Sequence, residues 1–307
     1  MSVQQAHSTR KGYLFVVCAA LLWAGSGTAA RFLFRSGVTP FQLVQLRTTI
    51  AAVLLFFGLF LFRKHLLRID RRDIPYFILL GSILAAVQFT YLYTISRIPV
   101  AVAILIQYQS PVLIALHARM VRKKRLSPVA LLAITGAVAG CYLMVGAYNV
   151  ALFSLNRTGL FSGLASSAVF AWYAIKSEDG MSRYSAWTLL FYALLIAAII
   201  WNVLQPPFGS FGGGYESGLW GYILYIAVFG TALPFGLYNL GIASIKAVHA
   251  NVTATLEPVF AGLMAYALLD EALEAWQLLG AALVILSIIM LQSLTTPKGE
   301  DRAAHLI

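Results

Sequence analysis

The sequence predicts an all-helical membrane protein in which ten transmembrane helices form two inverted five-helix repeats. Composition is the first reason: 60% of the 307 residues are hydrophobic and 11% are charged, whereas a soluble domain has about a quarter charged residues. The second reason is that ten apolar stretches are each long enough to cross a bilayer as a helix, which takes about 20 residues. The third is a sequence repeat between the two halves of the chain.

The repeat is clearest in an apolar stretch with an internal proline that occurs twice. Residues 98–116 overlay residues 245–263 when the chain is shifted by 147 positions, and Pro111 then falls on Pro258. Several identities at one offset, with a proline at the same place in two apolar helices, indicate an internal repeat.

The ten predicted helices divide evenly between the two halves, and each is an apolar run bounded by charged, Gly or Pro residues. Those of the first repeat, residues 1–150, cover residues 13–34, 39–62, 74–95, 100–120 and 128–148. Those of the second repeat, residues 151–307, cover residues 159–176, 185–204, 219–240, 247–269 and 275–294. Segment 205–218 is the longest predicted loop, and a polar tail ends the chain.

Basic residues set the predicted orientation. Cytoplasmic loops of membrane proteins carry an excess of Lys and Arg. With the N-terminus in the cytoplasm, 17 of the 22 Lys and Arg residues lie on the cytoplasmic side. The opposite side then holds Arg31, Arg35, Arg97 and Arg157, and Arg47 lies within the second predicted helix. Both termini are therefore predicted to be cytoplasmic, in a bacterial inner membrane.

The two repeats are predicted to be inverted relative to each other. Five crossings are an odd number, so the second half starts from the side opposite to the first. Residues 122–124, Arg-Lys-Lys, overlay residues 269–271, Leu-Asp-Glu. Loops at equivalent positions thus carry opposite charge, as expected if they face opposite compartments. Inverted repeats are typical of secondary transporters, whose substrate site lies near the middle of the membrane.

Four short motifs add a family resemblance: LLWA at 21–24, TLEPVFA at 255–261, DE at 270–271 and WQLLG at 276–280. With the two five-helix halves, they make the chain resemble the drug/metabolite transporter superfamily, specifically its ten-helix EamA-like branch. The resemblance spans roughly residues 11–294. The first half departs from the pattern, with Ser110-Pro111 where the second half has Glu-Pro. Within the branch, the chain is similar to bacterial amino acid exporters that prefer aromatic substrates.

Polar side chains in the third and fourth predicted helices are candidates for substrate binding. An unpaired amide in hydrocarbon costs several kcal/mol, so such groups have to meet partners, substrate or water. The alternative is hydrogen bonding between helices. The candidates in this region are Gln88, Tyr91, Gln107, Tyr108 and Ser110.

Three further candidates lie in the second half. His249, Thr253 and Glu257 follow one another at intervals of four residues, so they share one helix face. The side chains of His249 and Glu257 can exchange protons or contact a substrate. The alternative is a structural hydrogen bond that holds the break at Pro258. The similarity to the exporters places Trp172 in the cavity, whereas its alternative is an anchor at the membrane interface. Arg47 is interpreted as structural, either paired or reaching toward the interface.

These features together predict a secondary transporter that exports small amphipathic metabolites, foremost amino acids including aromatic ones. The alternatives are an exporter of nucleosides, sugars or cationic drugs, and a facilitative channel. A membrane-embedded enzyme is disfavoured, since Glu257 has no second carboxylate, nucleophile or metal ligand beside it in the sequence. No cofactor, metal or nucleic acid is predicted. The expected partners are a small-molecule substrate and the lipid bilayer, with the chain acting as a monomer or weak dimer.

A single cysteine tests the predicted orientation. Cys18 and Cys141 are replaced first, and Ser217→Cys then places one thiol in the predicted external loop. This thiol should react with an impermeant reagent added to intact cells. A cysteine at Lys64, in a predicted cytoplasmic loop, serves as the opposite control. Reaction of the Ser217→Cys protein only after lysis would contradict the orientation.

Overall fold

The computed structural model describes residues 3–123, 127–149, 156–269 and 274–295, and all regular structure in these residues is helical. The helices of the first half are α1 (Val3–Arg35), α2 (Pro40–Phe62), α3 (Ile74–Arg97), α4 (Val100–Gln107), α5 (Ser110–Met120) and α6 (Pro128–Met144). Those of the second half are α7 (Arg157–Gly180), α8 (Ala186–Leu204), α9 (Pro207–Phe211), α10 (Ser217–Ala227), α11 (Leu233–Ala254), α12 (Glu257–Leu269) and α13 (Ala275–Thr295). A π-helical turn, Val228–Ala232, joins α10 to α11.

Eight helical segments in the described part of the chain are long and apolar enough to cross a membrane, and α6 is a shorter apolar helix. One of the eight, Ser217–Ala254, has 38 residues. It bends at Lys246, whose backbone has φ 67° and ψ 165°, outside the helical region. The prediction of ten crossings requires that this segment crosses twice, and it stays a prediction.

Two predicted helices differ from the structure because each is interrupted. The helix predicted over 100–120 is split between α4 and α5, and the helix predicted over 247–269 is split between α11 and α12. The interruptions fall at residues 108–109 and 255–256, which are 147 positions apart. Pro111 and Pro258 follow as the second residues of α5 and α12, where the missing N–H breaks no hydrogen bond. The prolines therefore start new half-helices.

The helix pairs show an exchange relation between the two halves. α1 packs along α11, and α7, its counterpart in the second half, packs along α3. Two further pairs join equivalent helices to each other, since α2 packs on α8 and α6 packs on α13. Exchanging the halves leaves this set of pairs unchanged, which is the behaviour of a two-fold arrangement.

Two glycines show the same relation at the level of atoms. A Cβ atom on Gly12 would lie 2.8 Å from Ile245 Cγ2, and a Cβ atom on Gly159 would lie 2.8 Å from Ile98 Cγ2. Both partners in the first contact are displaced by 147 residues from those in the second. Small residues at these positions let the α1–α11 and α7–α3 backbones approach closely.

The α6–α13 crossing is closer still, because backbone meets backbone. A Cβ atom on Gly140 would lie 2.7 Å from the Gly280 carbonyl oxygen, and a Cβ atom on Gly280 would lie 2.5 Å from the Met144 nitrogen. No side chain can be inserted here unless the helices move apart.

Gly140→Ala tests this crossing. The added methyl group should force α6 from α13 and lower the unfolding free energy by about 1–3 kcal/mol, as overpacking of a close-packed core does. Gly58→Ala is the matched control, because nothing lies within 4 Å of its Cβ position and alanine has the higher helix propensity. Thermal unfolding in detergent measures both variants. Equal midpoints for Gly140→Ala and wild type would show that the helices are not in contact.

Candidate functional site

A cavity lies at the centre of the bundle, between the two helix interruptions. The cavity volume, counted as the space that the centre of a water molecule can occupy, is about 30 Å³. This is enough for one or two waters. Helices of both halves contribute to its walls, which consist of Trp23, Ser26, Arg47, Val87, Gln88, Tyr91, Gln107, Tyr108, Phe170, Gly230, Phe235 and Glu257.

Five of the eight predicted substrate-binding residues line this cavity. They are Gln88, Tyr91, Gln107, Tyr108 and Glu257. They come from α3, from the last residue of α4 and the interruption after it, and from the first residue of α12, so segments distant in sequence converge there. Their part in binding a substrate stays a prediction, and their position is compatible with it.

The hydrogen bond between Tyr108 and Glu257 joins the two interruptions. The Tyr108 hydroxyl donates to Glu257 Oε2 over 2.6 Å, and both side chains are buried. Glu257 is the first residue of α12, where the positive end of the helix dipole favours a carboxylate. The interruption of α4 and α5 therefore places a donor opposite the acid that begins α12.

Gln88 and Tyr91 have unused hydrogen-bonding capacity. The amide nitrogen and oxygen of Gln88 and the hydroxyl of Tyr91 are buried without a partner among the described residues. Leaving such a group unpaired costs about 1–3 kcal/mol, so these groups are placed to bind water or a ligand in the cavity. Gln107 is partly occupied, because its Oε1 accepts a 3.3 Å hydrogen bond from the Ser166 hydroxyl.

Ser110 and His249 do not line the cavity. The Ser110 hydroxyl donates to Asn251 Oδ1 over 2.6 Å, and the Asn251 amide donates to the Tyr238 hydroxyl over 2.9 Å. His249 Nδ1 is hydrogen-bonded to the Tyr13 hydroxyl at 2.8 Å. Both side chains thus connect helices. The predicted common face of His249 and Glu257 is lost because the helix between them is interrupted.

The placement of Trp172 in the cavity is wrong. Its side chain is 45% exposed on the outer face of α7, which it shares with Phe161 and Leu164. Phe170 occupies the inner face and is 2% exposed. The sequence contains a signal for this choice, since the 147-residue offset connects Trp23 to Phe170 and not to Trp172.

Three aromatic rings form one wall of the cavity. The Trp23 ring lies 6.2 Å from Phe170 and 5.1 Å from Phe235 between centroids, and both pairs are edge-to-face. Trp23 and Phe170 are equivalent by the repeat, and so are Gln88 and Phe235. Equivalent positions of the two halves therefore line the same cavity.

Arg47, interpreted from the sequence as structural, is paired with backbone and side-chain acceptors and does not reach toward the interface. It is 4% exposed and lines the cavity. Its Nε donates to Thr231 Oγ1 over 2.7 Å, and its Nη2 donates to the Gly230 carbonyl over 2.8 Å. Both acceptors belong to the π-helical turn. An arginine inside an apolar helix with no carboxylate three or four positions away is, by default, a hypothesis of a functional site in a membrane protein.

Comparison with known proteins places this architecture in a family. The profile of the EamA-like transporter family matches the chain twice, at residues 10–146 and 157–293. The chain belongs to the EamA-like transporter family. The two matches are displaced by the same 147 residues as the helix interruptions. This EamA-like protein is therefore a multi-pass membrane transporter, and its family implies a small-molecule substrate.

Several curated relatives carry transporter names. The chain is 28% identical over 291 residues to the inner membrane transporter YicL of Salmonella typhimurium strain LT2, described as uncharacterized, covering 92% of this chain and 96% of that protein. It is 30% identical over 214 residues to an uncharacterized transporter of Archaeoglobus fulgidus, covering 70% and 72%. The threonine/homoserine exporter RhtA of Escherichia coli K12 is 22% identical over 229 residues, covering 74% of this chain and 73% of its own.

A solved crystal structure has the same fold. It superimposes with a TM-score of 0.72 at 19% sequence identity, covering 92% of this chain and 97% of the other. At this identity the likeness shows the fold alone.

Proposed function

We propose that this transporter exports small amphipathic metabolites, foremost amino acids including aromatic ones, across the bacterial inner membrane by alternating access. The observation that carries the proposal is the composition of the central cavity. An acid, a guanidinium group and an unpaired amide face an aromatic wall, so a ligand with a polar head and an apolar side chain finds partners for both. The similarity to RhtA, named a threonine/homoserine exporter, supports amino acids as the class.

Alternating access requires a gate on each side of the cavity, and equivalent residues support one at each end. Arg31 on α1 donates hydrogen bonds to the carbonyls of Ile95 and Ile98 at the end of α3. Its equivalent at the 147-residue offset is Glu178 on α7. The Glu178 carboxylate accepts from the Ala247 N–H over 2.7 Å, next to the bend at Lys246.

Glu178 also belongs to an ion-pair network. Arg122, just beyond α5, contacts Glu178 at 2.8 Å and Asp179 at 2.6 Å. In the proposed orientation, this network closes the cytoplasmic side and the Arg31 contacts close the outer side. Opening one set while the other stays closed would expose the cavity to one compartment at a time.

Glu257 is proposed to couple transport to protons. Its carboxylate accepts a hydrogen bond from the Tyr108 hydroxyl, and Arg47 lines the same cavity. Glu257 is the only acidic residue among the described residues that line the cavity. Gaining and losing a proton there would change the charge seen by the ligand within the transport cycle.

Transport assays with purified protein test the proposal. Proteoliposomes are screened for uptake of labelled amino acids, including phenylalanine, threonine and alanine. Saturable uptake with counterflow of labelled substrate is expected for a transporter. Flux that neither saturates nor shows counterflow would indicate a channel, and no flux of any amino acid would reject the substrate class.

Phe170→Ala should impair transport of large apolar amino acids more than small ones. Losing one aromatic face removes about 0.5–1.5 kcal/mol of ring contact plus buried area, or roughly tenfold or more in apparent affinity for phenylalanine. Trp172→Ala is the matched control, because its ring faces outward and should leave affinity within about twofold. Equal losses for alanine and phenylalanine in Phe170→Ala would indicate a folding or gating role. The reverse ranking of the two variants would remove Phe170 from the site.

Glu257→Gln should flatten the pH dependence of uptake while the amount of folded protein stays near wild type, because an amide has no proton to exchange. His249→Gln is the control, since it removes a second titratable group outside the cavity and should keep the wild-type profile. Initial rates over a range of pH values, at matched protein levels, measure both. A wild-type profile in Glu257→Gln would make Glu257 structural.

A further inference from the structure

Arg47 is a buried cation without an acidic partner. In the part of the chain that the structure describes, it forms no ion pair with any carboxylate, whereas Arg122 and Arg183 each pair with acids near the membrane surface. A charge buried among helices is costly unless it meets an opposite charge. Glu257 lines the same cavity, but its carboxylate is hydrogen-bonded to Tyr108 and forms no ion pair with Arg47. The guanidinium group therefore has no opposite charge in contact with it.

The guanidinium group is held too firmly for a side chain that reaches toward the membrane surface. Arg47 lies seven residues after Pro40, about 10 Å along α2. Its Nε and Nη2 bind Thr231 and Gly230. The Thr231 hydroxyl donates to the Ile226 carbonyl over 2.8 Å, which leaves its lone pairs free to accept from Arg47. The π-helical turn therefore fixes the plane of the group inside the bundle.

This arrangement leaves donors available on the cavity side. A guanidinium group has five N–H donors, and the two bonds to the π-helical turn account for Nε and one donor of Nη2. The amide of Gln88 and the hydroxyl of Tyr91 are further donors without protein acceptors among the described residues. All three side chains line the cavity. Convergent donors around one fixed cation match the planar, two-oxygen geometry of a carboxylate.

Resting on the proposed transport function, we infer that the substrate carries a carboxylate group and that Arg47 binds it, with Gln88 and Tyr91 completing the site. Arg47 thereby selects acids and amino acids over amines of the same shape. The aromatic wall of Trp23, Phe170 and Phe235 then receives the side chain of the substrate.

The test compares ligands that share a phenyl ring and differ at the carboxyl group. They are phenylalanine, phenylalaninamide, phenethylamine and 3-phenylpropionate. Binding to the full-length purified protein is followed by thermal stabilisation, and competition by inhibition of labelled phenylalanine counterflow. We expect phenylalanine to bind at least about tenfold more tightly than the amide and the amine, because charge-assisted hydrogen bonds are strong in a site without bulk water.

Variants of Arg47 assign that preference to one residue. In Arg47→Gln the preference for acid over amide should fall to within about twofold. Arg47→Lys should keep part of the preference, because lysine retains the positive charge but lacks the planar pair of N–H donors of a guanidinium group. Arg183→Gln is the matched control, since Arg183 is a mostly exposed arginine that pairs with Asp73 outside the cavity, and it should keep the wild-type ratio. If Arg47→Gln does not fold, the wild-type ratio and Arg47→Lys still decide.

The outcomes separate this inference from the proposed function. Equal binding of the acid and the amide by wild type, or an unchanged ratio in Arg47→Gln, would overturn the role of Arg47 while amino acid transport could stand. Thermal stabilisation by 3-phenylpropionate without any by phenylalanine would keep the carboxylate site and reject amino acids as the class. Binding by phenethylamine alone would overturn both.

Discussion

The interruption of two helices at the centre of the bundle is the constraint on which the rest of the structure depends. Backbone N–H and C=O groups that leave a helix inside a membrane cannot be left in lipid. The breaks at residues 108–109 and 255–256 are therefore surrounded by protein, with α1, α3 and α7 packed around them. Polar side chains at the breaks are tolerated for the same reason, and the Tyr108–Glu257 hydrogen bond joins one break to the other.

Close helix packing is what makes that enclosure possible. Glycine contacts bring α1 onto α11, α7 onto α3 and α6 onto α13 with little space between the backbones. The cavity inside this bundle has a volume of only about 30 Å³. A bound amino acid needs more room than this, and the two sets of polar contacts, at Arg31 and at Glu178, are the places where the bundle is proposed to open.

Much of the fold could be predicted from the sequence, because hydrophobic length and the internal repeat are strong local signals. The helix positions follow from apolar runs. A break at Pro258 was predicted, whereas the helix over 100–120 was predicted to be continuous and is interrupted at residues 108–109. Side-chain direction was harder to predict. Trp172 and Phe170 are two positions apart on one helix, and only packing decides which faces inward. Ser110 was predicted as a site residue, but its hydroxyl is taken by Asn251, a partner that sequence distance conceals. The partners of Arg47 could not be predicted, because the π-helical turn that supplies them has no simple sequence pattern.

The repeat also shows where the two halves differ. The 147-residue offset maps Arg47 onto Leu194, a fully buried apolar residue of α8, so the exchange that relates the helices does not relate their charges. The arrangement of helices is thus nearly symmetric, whereas the charges that line the cavity are not. In the proposed site, a ligand with a charged head and an apolar tail would lie with its head toward α2 and the π-helical turn and its tail toward the aromatic rings. Both halves contribute to each end of this proposed site, yet Arg47 has no charged counterpart in the second half, so entry and release of such a ligand would not be equivalent steps.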